Sequence, residues 1–173
     1  MEKYVPDLYQ KSIYSIDYKK LQKRGIKCLL FDLDNTLMPT NEKTADQKLI
    51  DLFNKLKEIG FKLIIFSNSS KARVKPFKEV LEVDCCAGVN KTKPEKFLYI
   101  IDHYKYKESE IAIIGDEIMT DIIGGNRVGI TTILVNPIST KDHLWTKVSR
   151  LSENRIMKKL RKKELFTKGR YYD

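Results

Sequence analysis

The stretch KCLLFDLDNT, residues 27–36, decides how this chain is read. An apolar run too short to make a helix stops abruptly at Asp32, and a second acid, Asp34, follows two positions later. Uninterrupted apolar runs of this length are typical of strands buried on both faces of a parallel sheet. The same design recurs downstream. Leu63-Ile64-Ile65-Phe66 ends in Ser67-Asn68-Ser69-Ser70, and Ile111-Ala112-Ile113-Ile114 ends in Gly115-Asp116-Glu117. A short run near residues 85–89 leads into Asn90-Lys91-Thr92-Lys93-Pro94, and residues 131–135 supply a fifth apolar run.

Helical patterns separate these runs. Over residues 44–59, Ala45, Leu49, Leu52, Phe53, Leu56 and Ile59 recur on one helix face, and Gly60 provides a stop. Further helices are expected over residues 70–82, with Pro76 inside, 94–106, with Pro94 in the first turn, and 119–128. Strands alternating with helices predict a five-stranded parallel sheet covered on both faces, a doubly wound, Rossmann-like three-layer α/β sandwich. Such folds place their functional site beyond the C-terminal ends of the strands. The polar residues of this chain collect at those ends.

Several carboxylates converging on one crevice repel each other unless a cation is present. Mg²⁺ takes oxygen ligands, typically one or two carboxylates with water and a phosphate oxygen. Asp32 and Asp116 are natural ligands, with a main-chain carbonyl near Asp34 as a third. A phosphoryl group in transfer needs its oxygens neutralised, which a lysine, the Ser67 hydroxyl and nearby N–H groups can do. A carboxylate can attack phosphorus directly, and a second can shuttle the proton. Asp32 and Asp34 fit those two roles if the backbone turns both into the crevice.

DLDNT after one strand, FSNS after the next, a Lys-Pro pair and then IIGDEIMTD resemble, in the correct order, the four motifs of the haloacid dehalogenase superfamily. The chain as a whole, including GDEIMTDIIGGNRVGITTILVNPI, is similar to the YqeG family of subfamily IIIA phosphatases, related to phosphatidylglycerophosphate phosphatases. The resemblance implies Asp32 as nucleophile, Asp34 as general acid and base, and Lys93 as charge stabiliser. It implies Thr36, Ser67, Asn68 and Lys93 around the substrate phosphate. Mg²⁺ is implied on Asp32, Asp34 and Asp116, with Asp121 behind it, acting through water or by orienting the lysine. Lys91 competes with Lys93; Lys93 is preferred because it directly precedes Pro94.

The formal net charge of +10 is unevenly placed: residues 141–173 carry 11 Lys/Arg against 4 Asp/Glu. This basic tail is expected to form a helix, with Trp145, Val148, Leu151, Ile156 and Leu160 at helical intervals, packed on or extending from a domain of residues 1–140. Its charge suits a phosphate-rich surface of either kind, and as a basic amphipathic helix without an RNA-recognition signature it fits anionic lipid better than nucleic acid. The tyrosines of the N-terminal segment, residues 1–24, either cover a sheet edge or meet an interface. No run is long enough to span a bilayer, no secretory signal precedes the first strand, and three cysteines without CxxC spacing read as reduced thiols. A cytoplasmic location follows, peripheral at the inner membrane face if the tail binds lipid. His103 and His143 stand apart from every motif, and Gly124-Gly125 reads as a packing feature. Too few residues separate the motifs to hold an inserted cap, so an open site is expected.

These readings predict an Mg²⁺-dependent phosphomonoester hydrolase, acting on phosphatidylglycerophosphate at a membrane surface. Two other functions remain open: a soluble phosphatase for a nucleotide, sugar phosphate or phosphoprotein, and a binding or assembly protein that uses the fold with little catalysis.

Overall fold

The computed structural model describes residues 1–139 and 145–173, with the side chains of 145–149 left aside. The domain boundary expected after residue 140, His143, and the side chains of Trp145 and Val148 therefore lie outside the described residues.

The expected α/β sandwich is present, with six strands where five were read. They are β1 (Leu8–Gln10), β2 (Cys28–Phe31), β3 (Lys62–Phe66), β4 (Asp84–Cys86), β5 (Ile111–Gly115) and β6 (Thr131–Val135), all parallel in the order β1-β6-β5-β2-β3-β4. The extra strand comes from the tyrosine-rich N-terminal segment. β1 has only three residues and no apolar run; pairing to β6 on one side and a bridge from Tyr9 to Tyr172 on the other hold it extended.

Alternate residues of the central strands divide between two apolar faces, as a pleated strand requires. On one face Leu29, Phe31, Leu63, Ile65, Ala112 and Ile114 pack under α1 (Tyr18–Lys23), α2 (Gln47–Ile59) and α3 (Lys71–Leu81). On the other, Leu30, Ile64, Phe66 and Ile113 meet Phe97 and Ile100 of α4 (Glu95–Tyr104). A fully buried Phe or Leu contributes roughly 1.5–3 kcal/mol, while an exposed helix pair such as Lys75–Glu79 contributes about 0.3–0.5 kcal/mol, so the apolar faces hold the sandwich.

Caps sharpen the helix boundaries. Asp46 accepts the Leu49 amide at 2.8 Å, which starts α2 later than periodicity suggests, and Gly60, at φ 110°, ends it in the left-handed conformation. α3 begins at its Ser70 cap and runs through Pro76. The helix expected over residues 119–128 is a π-helical turn, Ile118–Ile122, followed by α5 (Ile123–Val128). Gly124 and Gly125 permit close packing there: a Cβ would lie 2.5 Å from the Lys91 carbonyl at Gly124 and 2.5 Å from Thr132 Cγ2 at Gly125.

The chain end returns to the sheet edge. Leu160 of α6 (Trp145–Lys162) and Phe166 are buried against Tyr9, Ile118, Ile122 and Leu134. Tyr9 is fully buried in this edge cluster, Tyr18 is buried with its hydroxyl donating to the Ile13 carbonyl at 2.7 Å, and Tyr14 remains exposed. No helix among the described residues is long and apolar enough to cross a membrane.

Candidate active site

β2 and β5 are hydrogen-bonded neighbours in the middle of the sheet, so their C-terminal ends bring Asp32 and Asp116 together. Asp32 continues the ladder, its amide donating to the Ile114 carbonyl at 3.0 Å. The chain then turns at Asn35, which adopts a left-handed φ of 61°, a conformation asparagine tolerates better than most residues. The turn is closed by the Asn35 amide donating to Met38 at 2.8 Å, and it points Asp32 and Asp34 into different surroundings.

Asp32 is buried, and its Oδ1 accepts from Lys91 Nζ at 2.6 Å. The same ammonium donates to Asp121 Oδ1 at 2.8 Å. Asp121 is wholly buried, and its other oxygen accepts the Glu117 amide at 3.2 Å. Gly115 makes room for it: a Cβ there would fall 2.1 Å from the Asp121 carboxyl carbon. Asp116 accepts from Thr36 Oγ1 at 2.9 Å. Burial pushes Asp32 up to about 6, with Lys91 opposing and Asp121 adding to the shift. Asp116 is held well above the usual carboxylate range, first by desolvation and then by the charges of Asp32, Asp121 and Glu117. Burial works against the charge of Lys91, but Asp121 and Asp32 outweigh it and hold its pKa above the ordinary lysine value.

Asp34 is half-buried and has different partners. Its Oδ1 accepts from Arg73 Nη2 at 3.0 Å, and Ser69 Oγ lies 2.5 Å from its Oδ2. Arg73 also donates to the carbonyls of Glu42 and Pro39, fixing this side of the site to the loop before α2.

The structure thus redistributes several expected positions. Lys93, expected among the carboxylates, is exposed; Lys91 is the buried lysine, because its main chain packs against Gly124 and its side chain runs inward between Asp32 and Asp121. Thr36, expected at the substrate phosphate, engages Asp116. Ser67 is fully buried, its Oγ accepting the Ser69 amide at 3.1 Å, whereas Asn68 lines the crevice. The Asp34 carboxylate stands outside the cluster formed by Asp32, Asp116 and Asp121, whose oxygens lie within 4.8 Å of one another. Arg73, Ser69 and Glu117 were missed in the sequence. An arginine in the first turn after the Ser-Asn-Ser-Ser loop was the available signal for Arg73, and the acid adjoining Asp116 was the signal for Glu117.

Three carboxylates against one ammonium leave an uncompensated negative charge in a poorly hydrated place. All donors are carboxylate oxygens, the chemistry a hard divalent cation selects. The residues present fit Mg²⁺. Since both oxygens of Asp121 already accept hydrogen bonds, Asp32 and Asp116 are the better placed ligands, and Asp121 is engaged in holding Lys91.

The site opens into a groove of about 860 Å³. Asp32, Asp34, Asp116 and Glu117 form one side. No cap is inserted between the described strands, but the groove is not open on every side: α6 supplies the opposite wall through Arg150, Asn154, Met157, Lys158 and Arg161. The spacing of the motifs does not reveal this wall, because it is built by α6, beyond the last motif.

Residues 1–139 match the profile of the mitochondrial PGP phosphatase family. The chain belongs to this family. The protein named Probable phosphatase YqeG of Bacillus subtilis is 36% identical over 92% of this chain and 93% of its own length. The phosphatidylglycerophosphate phosphatase 1 of Arabidopsis thaliana chloroplasts and mitochondria is 26% identical over 78% of this chain, which spans 41% of that longer protein. Among solved structures, the 3-deoxy-D-manno-octulosonate 8-phosphate phosphatase of Moraxella catarrhalis, in complex with magnesium, phosphate and KDO, has a TM-score of 0.55 at 20% identity, covering 70% of this chain and 75% of that one. A hydrolase of Legionella pneumophila assigned to haloacid dehalogenase subfamily III A has a TM-score of 0.53 at 22% identity, covering 70% of this chain and 72% of that one. PGP phosphatase membership and the YqeG likeness make this chain a phosphoric monoester hydrolase with the haloacid dehalogenase fold.

Proposed function

We propose that this phosphatase hydrolyses phosphatidylglycerophosphate at a membrane surface, with Mg²⁺ bound, through a phosphoryl intermediate on Asp32. The observation that carries the mechanism is Lys91 held between Asp32 and Asp121, with Asp116 beside them at the adjacent strand end.

Asp32 and Asp116 would hold the ion, with the Asp34 main-chain carbonyl as a further oxygen; bound there, Mg²⁺ neutralises phosphate charge and fixes its orientation. Asp32 forms a bond to phosphorus as the bond to the substrate oxygen breaks, and Asp34 gives that oxygen a proton. Water then attacks the phosphoryl group on Asp32, Asp34 takes the proton back, and inorganic phosphate leaves. Lys91 has three N–H donors and spends two on carboxylates, leaving one for a phosphate oxygen. Arg73 and Ser69 keep Asp34 directed at the leaving group. Asn68, on the crevice wall, is the side-chain amide nearest this task from the Ser-Asn-Ser-Ser loop.

The lipid substrate is supported by the activity for which the plant relative is named and by the outer surface of α6, where Leu151 is 64% exposed among basic residues. Leu165 and Tyr171 are exposed nearby in sequence. Apolar groups ringed by cations suit a peripheral position on anionic lipid, at the cytoplasmic face of the membrane.

The test is phosphate release from phosphatidylglycerophosphate in vesicles, nucleotides and sugar phosphates, by wild type and Asp32→Asn, with Mg²⁺ or chelator. Release from the lipid in Mg²⁺, reduced at least about a thousandfold in the variant, is expected. Comparable release from all the soluble compounds would overturn the lipid assignment, and activity of the variant would overturn the intermediate.

A further inference from the structure

The wall supplied by α6 carries a feature that the reaction at Asp32 does not use. Its flank with Ile156 and Leu160 is docked on the sheet edge, and Glu153 accepts the Ile118 amide, tying the helix to the turn that bears Asp121. Docking in this way turns residues 150, 154, 157, 158 and 161, spaced at helical intervals, toward the groove. Lys158 and Arg161 both line it, yet neither makes an ion pair among the described residues, although Asp34 and Glu117 line the opposite side. Leu134, Val135, Met157 and Glu153 line the same groove.

The transferred phosphate does not need these cations, since Lys91 and a divalent ion already serve it. The groove, at about 860 Å³, has the size of a site for a whole small molecule, far more than one phosphate fills. We infer that Lys158 and Arg161 bind a second anionic group of the substrate, a phosphodiester separated by a short polyol from the phosphate that is cleaved. This inference rests on the proposed reaction and adds the part of the substrate that the enzyme reads. Phosphatidylglycerophosphate has this chemistry: a terminal monoester, a glycerol and an internal diester. In an enzyme without a cap, the C-terminal helix takes over substrate selection.

The full-length protein carrying Lys158→Ala and Arg161→Ala would be compared with wild type on three substrates in Mg²⁺. These are dihexanoyl phosphatidylglycerophosphate, its deacylated headgroup glycerophosphoglycerol phosphate, and p-nitrophenyl phosphate, which has one anionic group. The kcat/KM of both two-phosphate substrates should fall at least tenfold more than that of p-nitrophenyl phosphate, with the loss mainly in KM, and Lys158→Arg with Arg161→Lys should restore most of it. An equal fall on all three would overturn the inference, as would no fall. A fall confined to the acylated substrate would also overturn it, because it would mean adsorption to lipid. If wild type hydrolyses neither two-phosphate substrate, the proposed reaction fails; calorimetric titration of glycerophosphoglycerol phosphate into Asp32→Asn, with and without the two α6 substitutions, still decides the second site. A Kd at least tenfold weaker with the substitutions supports it, and equal affinity overturns it.

Discussion

The two walls of the groove are charged by opposite means. On the strand-end wall, Asp32, Lys91 and Asp121 are buried, short-ranged and mutually hydrogen-bonded, so each charge depends on its neighbours. On the helical wall, Lys158 and Arg161 are exposed, long and flexible, anchored only through the backbone of α6. Buried charge is costly to desolvate but acts strongly and in a fixed direction, as chemistry requires. Exposed charge costs little, is screened by salt and adapts to its ligand, which suits recognition. Substitutions on the first wall should therefore alter both turnover and stability, and those on the second chiefly KM.

After Asp32→Asn, the largest effect should come from Lys91→Met. It leaves Asp32 and Asp121 buried without their shared cation, a change that typically costs about 3–5 kcal/mol when one partner of a buried pair is removed. Turnover should fall about 10²–10³-fold, the usual effect of losing a fixed donor at a reacting oxyanion. Lys93→Met, at an exposed position, should leave both within about twofold of wild type, well inside the scatter of surface substitutions. Urea unfolding and steady-state kinetics of the pair check this. If the Lys93 variant is the inactive one, the division between buried and exposed lysines is broken.

Gly115→Ala probes the same wall without changing any charge. The added methyl must displace the Asp121 carboxyl, which otherwise sits 2.1 Å from it, and Lys91 moves with its partner. Since misplacement by about 1 Å can cost 10²-fold, kcat should fall roughly 10–100-fold while the melting curve stays cooperative. Unchanged kcat would show that Asp121 does not set the position of Lys91.

The walls also differ in how far they could be read in advance. The four strand ends were legible because apolar runs that stop at polar residues report both a strand and its exit point, and Asp32, Asp116 and Asp121 sit where that rule puts them. Choosing between Lys91 and Lys93 was beyond the pattern, since it depends on whose main chain packs against Gly124 and which side chain then turns inward between Asp32 and Asp121. β1 escaped because three residues carry no periodicity and are held by pairing to β6 and Tyr172. The role of α6 as a wall was hidden for a similar reason: its basic face is evident in the sequence, but nothing local shows that Ile156 and Leu160 dock so as to aim that face at Asp32.

Ionic strength separates the walls with no substitution at all. Raising salt from about 0.1 M to about 1 M shortens the Debye length from about 10 Å to about 3 Å. The KM for glycerophosphoglycerol phosphate should rise several-fold, while kcat, set by groups shielded from solvent ions, changes little. A fall in kcat as large as the rise in KM would remove the distinction.

The smallest expected effect is a shift in melting temperature, and its sign tests the metal assignment. Asp32 is raised from 3.8 to about 6 in the fold, and Asp116 is raised also, so the native state binds more protons than the unfolded chain in that range. The stability Asp32 contributes is present below about pH 4 and is lost as pH rises through about 6; Asp116, raised in the same direction, adds to it. Mg²⁺ on Asp32 and Asp116 replaces those protons, so its stabilising effect must grow as they leave. At saturating Mg²⁺ the melting temperature should rise by about 5–10 °C at neutral pH, from the binding energy available at a hundredfold excess over Kd, and by less than half as much at pH 5. Calorimetry at both pH values, with Mg²⁺ and with chelator, measures the difference. Equal shifts at the two would mean the ion sits on groups that do not share these raised pKa values, and the strand-end wall would lose its claim to the metal.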